Sequence, residues 1–101
     1  MNIRSESVDR LFQAILHLHN EEECYAFFED LCTIKEIQDM AQRLDTAVLL
    51  LKGHSYQKIT EQVNISTATI GRVNKCINYG SGGYKLAIER LEETEKEHDD
   101  Q

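Results

Sequence analysis

From Val8 to Leu91 the apolar residues return every three or four positions, and no proline interrupts them. That spacing is the period of a helix face, and the missing prolines remove the residue that ends helices most effectively. The sequence therefore predicts an all-α protein, and 101 residues suffice for about one small domain. We place that domain at residues 1–95, with 96–101 as a charged, frayed tail.

The spacing predicts a first helix over about residues 6–18, where Val8, Leu11, Phe12, Ile15 and Leu16 form one apolar stripe. Asn20 followed by Glu21, Glu22 and Glu23 reads as an N-cap with acids in the first turn. The second helix then carries Cys24, Phe27, Phe28 and Leu31 on one face. Thr33-Ile34-Lys35-Glu36 reads as a capping box opening the longest helix, which should end near Lys52 with Gly53 just beyond. Ala47 to Leu51 is apolar nearly all round. Such a helix is either the centre of the domain or covered by a partner subunit. A chain this short buries a modest share of its surface alone, so we expect a homodimer.

Two short helices should follow, at about residues 55–63 and 66–77. Gly80 to Gly83 breaks the chain before a last helix with Tyr84, Ala87, Ile88 and Leu91 on one face. No run is long and apolar enough to span a membrane, and no basic-then-apolar leader precedes the first helix. The expectation is a cytoplasmic protein with no membrane partner. The three cysteines agree, since an odd, widely spaced set is not a disulfide framework. His17, His19 and Cys24 match no standard zinc spacing, and no metal is expected.

The net charge of −7 looks wrong for a nucleic-acid binder, but its distribution matters more than its sum. Residues 1–51 hold four basic and ten acidic side chains, −6. Residues 52–79 hold Lys52, Lys58, Arg72 and Lys75 against Glu61, +3. Residues 80–88 add Lys85, +1, and residues 89–101 hold two basic and seven acidic, −5. An acidic body behind a locally basic surface limits non-specific adhesion while keeping phosphate attraction.

The basic segment contains the two short helices. A helix-turn-helix needs two helices packed at a fixed angle across a turn of three or four residues. Ile59 and Val63 lie one turn apart on the first, with Thr60 as the small residue at the close approach. Asn64 would take a left-handed turn conformation, Ile65 would plug the turn and Ser66 would cap the second helix. Ile70 and Val73 return to the core. Thr67, Ala68, Gly71, Arg72 and Lys75 are left outward, with Thr69 on the flank. That outer face is small, hydrogen-bonding and free of acids, as entry into a major groove requires. An ordinary helical hairpin explains the aliphatics equally well, though not the missing acids.

The block RLDTAVLLLKGHSYQKITEQVNISTATIGRVNKC resembles the Trp repressor family, particularly its YerC/YecD branch. The order of helices matches over most of the chain, and the specific motifs lie between Arg43 and Lys75. The resemblance implies a Trp repressor-like helical bundle forming an intertwined dimer on double-stranded DNA, with the helix-turn-helix at about residues 55–78. It implies DNA contact by Gln57 and Lys58 at the start of the first motif helix, and by Ala68 and Thr69 at the start of the recognition helix. Arg43 and Arg72 match the pair flanking the family's corepressor, so a small-molecule corepressor would sit there. There are departures: Glu61 stands where the family has a lysine, Val73 replaces a glycine beside the corepressor ring, and the turn is one residue shorter. Read without the family, Arg43 would pair with Asp39 one turn earlier.

No phosphate-cradling glycine loop and no nucleophile with its base is visible, so we expect no enzyme. The expectation is a sequence-specific DNA-binding transcription regulator acting as a repressor, with Gln57, Lys58, Thr67, Ala68, Thr69, Arg72 and Lys75 toward DNA. The alternative is a protein-interaction module that turns the same helix pair toward another protein.

Overall fold

The computed structural model describes residues 2–99, and every regular element in them is a helix. The order is α1 (Glu6–Leu16), α2 (Glu21–Leu31), α3 (Ile34–Leu51), α4 (Tyr56–Gln62), α5 (Thr67–Tyr79) and α6 (Gly83–Asp99). The chain divides into two compact units, one up to Ile37 and one from Gln38 onward.

In the first unit the helix ends are set by side chains. The Ser5 hydroxyl accepts the Val8 N–H at 3.1 Å and starts α1. The helix stops at Leu16, two residues before the expected end, where His17 closes it and places its Nδ1 2.6 Å from the Gln13 carbonyl. Asn20 caps α2 by accepting the Glu23 N–H at 2.9 Å, and the Glu23 carboxylate reaches back to the His19 N–H at 2.7 Å. Thr33 and Glu36 form the reciprocal box read from the sequence. The Thr33 hydroxyl accepts the Glu36 N–H at 3.1 Å, and Glu36 accepts the Thr33 N–H at 2.8 Å.

That box has a pH signature. The bond from the Thr33 N–H, then the one with its side chain, hold the Glu36 carboxyl below the usual glutamate range. A depressed folded-state value contributes stability that is complete above the unfolded value and is lost as pH falls through the folded one. Glu36→Gln keeps a capping side chain but cannot titrate. Thermal melts from pH 7 to pH 3 should show a shallower acid decline for Glu36→Gln than for the natural chain. Parallel declines would contradict the assignment.

In the second unit, the C-terminal half of α3 meets α5 and α6. Ala47, Val73, Ile77 and Ile88 form the buried cluster, with Val48, Leu50 and Tyr84 packed on it. Thr46 is also fully buried, and its hydroxyl donates to the Gln42 carbonyl at 2.8 Å, so it enters the core without an unsatisfied group. Gly53 ends α3 with φ +86°. Its N–H bonds the Leu50 carbonyl, and the His54 N–H bonds the Leu49 carbonyl, the paired bonds of a Schellman stop.

Two details of the helix pair differ from the sequence reading. Asn64 is not left-handed, since among the described residues only glycines have positive φ. The Ile65 N–H instead bonds the Val63 carbonyl at 2.9 Å. This is an inverse γ-turn, which turns the chain with negative φ throughout. Thr60 is exposed rather than at a close approach, and its hydroxyl donates back to the Gln57 carbonyl at 2.7 Å. Ser55 and Ser66 act as N-caps, accepting the Lys58 and Thr69 N–H groups. α6 continues to Asp99, so residues 96–99 of the expected tail are helical, while residues 100 and 101 lie outside the described residues.

Candidate nucleic-acid interface

The four-residue connection from Val63 to Ser66 joins α4 to α5, and the two helices pack on one another. Ile59 of α4 and Ile70 of α5 are fully buried. Val73 and Ile77 carry the same side of α5 into the core. Residues at 70, 73 and 77 fix one face of a helix inward, and the opposite face is then 68, 72, 75 and 79.

Ala68, Arg72, Lys75 and Tyr79 are indeed exposed, as are Thr67 at the start of the helix and Gln57 and Lys58 on α4. Thr69 is half-buried and already engaged. Its hydroxyl lies 3.0 Å from that of Ser66, and its N–H bonds the same cap. The first turn of α5 contains no acid. An uncapped acid there would have repelled a phosphate, so the absence keeps the N-terminal end of α5 open to one. The sequence reading did not select Tyr79, the most exposed of the large apolar residues among those described. Its spacing from Arg72 and Lys75 would have found it.

The Arg43–Arg72 pair is less developed. Arg43 on α3 and Arg72 on α5 are both exposed. A shallow cleft of about 260 Å³ is lined by Asp45, Val48, Leu49, Gln62 and Val63, and by neither arginine. His54, which follows the α3 stop, has its Nδ1 buried with no hydrogen-bond partner among the described residues. No group of three His, Cys, Asp or Glu side chains suited to a metal occurs among the described residues, and the three cysteines are free.

Two short helices packed across a four-residue turn, the second of them free of acids, define a helix-turn-helix protein. Comparison with known proteins narrows the class. The family model for the Trp repressor protein matches residues 6–92, and this chain belongs to that family of DNA-binding, non-enzymatic regulators. Over 95 residues it is 52% identical to the protein YerC of Bacillus subtilis (strain 168), covering 94% of this chain and 91% of that one. A TrpR-like protein from Eubacterium eligens superimposes with a TM-score of 0.85 at 47% identity, over 88% of this chain and 92% of its own. A Trp repressor-type protein from Staphylococcus aureus gives 0.86 at 43% identity, over 89% and 90%. No described helix is long and apolar enough to cross a membrane.

Proposed function

We propose that the protein is a homodimeric, cytoplasmic transcription repressor that reads a specific DNA sequence with α5, residues 1–95 acting as one functional domain. The observation that carries this reading is the division of α5. Ile70, Val73 and Ile77 anchor one side, while Thr67, Ala68, Arg72 and Lys75 stand exposed on the other. Ala68 would meet a base edge or thymine methyl, with Thr69 on its flank. Gln57, Lys58 and Lys75 would approach the backbone. A dimer of helix-turn-helix units should select a near-palindrome with half-sites about one helical turn apart.

Lys75 gives the direct test. Lys75→Ala should weaken binding to all duplexes alike and reduce the slope of log affinity against log salt by about one. Binding that is insensitive to salt in both proteins would favour the protein-interaction reading, which the net charge of −7 otherwise supports.

We further propose a small carboxylate-bearing corepressor, an amino acid by class, held between Arg43 and Arg72. Its support is positional, from the matching arginines of the family, together with the fit of a guanidinium fork to a carboxylate. Val73 narrows the space for a ring and favours a ligand smaller than tryptophan. A ligand shifts DNA affinity only through its preference for the competent form, typically about 5–150-fold. Arg43→Ala should abolish the ligand response and leave ligand-free DNA affinity unchanged. Operator affinity that is the same with and without each proteinogenic amino acid would remove the corepressor from the account.

A further inference from the structure

Gly71 lies in the interior of α5, where glycine is a poor choice. A helical glycine gives up more chain entropy on folding than alanine and is correspondingly less stable. The usual reasons for accepting that cost are absent. Its φ is not positive. Apart from its chain neighbours and the backbone of its own helix, a Cβ built on it meets no atom of the described residues within 4 Å. Gly80 is the contrast, because there a Cβ would run into the Cys76 carbonyl oxygen and the chain itself explains the glycine.

The reason for Gly71 therefore lies outside the chain: something approaches α5 more closely than a side chain permits. Its surroundings say what. Gly71 is one helical turn from Thr67, Ala68 and Lys75, all exposed. Between Glu61 and Glu89 the sequence has no carboxylate, although the chain has 18 acidic residues. A second copy meeting this surface across a two-fold axis would set Arg72 and Lys75 against their own equivalents. A polyanion would not.

We propose that Gly71 is a specificity-determining position whose missing side chain lets the α5 backbone seat against base edges in the major groove. This rests on the DNA-reading assignment of α5 and deepens it. The position adds no charge, so its contribution belongs to the fit on one sequence and not to phosphate attraction.

The test is Gly71→Ala in the full chain, assayed on a duplex containing the genomically mapped operator and on a scrambled duplex of the same composition. The added methyl should raise Tm by roughly 2–6 °C through helix propensity. The sedimenting mass should not change. Operator affinity should fall at least about tenfold, the loss of a close base contact. Affinity for the scrambled duplex and its salt slope should stay as they were. Operator affinity within twofold of the natural chain overturns the proposal, as does a changed mass, which would place a subunit contact at Gly71. If the natural chain itself does not distinguish the two duplexes, the DNA-reading assignment fails, and the proposal with it.

Discussion

Phe12→Asp is expected to abolish assembly of the protein. Phe12 lies in the apolar stripe of α1, yet α1 and α2 contain no buried residue at all. Phe12 is 48% exposed and Leu16 is 73% exposed. Large apolar side chains left in water forgo about 1.5–3 kcal/mol each relative to burial. Leu31 and Ile34 are also exposed, and Leu51 closes the apolar end of α3 in the same condition. On α1 alone, an apolar stripe this exposed suits an interaction face. The proposed dimer would supply the covering with a second copy, two such helices giving each other the missing partner in a symmetric exchange. In a monomer, aspartate at a half-exposed site would cost little. In the proposed intertwined dimer it would place a charge inside a shared core. Sedimentation at micromolar concentration should give twice the chain mass for the natural protein and a single, largely unfolded chain for Phe12→Asp. A natural chain that sediments as a folded monomer contradicts the dimer.

Ile70→Ala should have the next largest effect. Ile70 is fully buried, and its N–H bonds the Ser66 carbonyl at 3.0 Å in the first turn of α5. Truncation leaves a cavity beneath α5, and isoleucine-to-alanine changes at such sites cost about 2–5 kcal/mol. That is a large part of the roughly 5–15 kcal/mol that holds a domain together. Chemical denaturation should show the loss, and operator binding should fall with it because α5 loses the anchor that sets its angle. A change below about 0.5 kcal/mol, the range of surface substitutions, would show that Ile70 does not anchor the helix.

Much of this arrangement is legible in the sequence because its signals are local. Asn20, the Thr33–Glu36 box, Ser66 and Gly53 each work within one turn of their own position, so residue type and spacing suffice to place them. Ile59, Ile70 and Val73 were legible for a related reason, since the period of a helix assigns their face. The turn between α4 and α5 was not. Asn is tolerant of a left-handed conformation but does not require one, and the Val63–Ile65 bond supplies a different turn. Thr60 illustrates the same limit. Its size suited a close approach, but the phase of a seven-residue helix is set by what Ile59 packs on, which no local pattern encodes. Thr46 was missed because a polar residue gives no sign that it will be buried, and only its bond to the Gln42 carbonyl makes the core position tolerable. Tyr79 was missed because the helix was expected to stop at residue 77, whereas the Gly80 N–H closes it on the Cys76 carbonyl at 2.8 Å.

The site divides in the same way. Exposure of Gln57, Lys58, Thr67, Ala68, Arg72 and Lys75 follows from helix phase once the buried face is known. What those residues touch depends on a second molecule, and neither phase nor charge supplies its sequence. The Arg43–Arg72 pair is legible only through resemblance to the family, because no periodicity links a residue of α3 to one of α5.

Genome-wide mapping of the sites bound by the intact protein in its own cell tests the central claim most directly. The account predicts a limited set of sites sharing a near-palindromic sequence, its two halves about one helical turn apart. Their occupancy should be lost in the Phe12→Asp protein and reduced in the Lys75→Ala protein. Bound sites without dyad symmetry, or no enrichment of DNA at all, would contradict a dimeric repressor that reads DNA with α5.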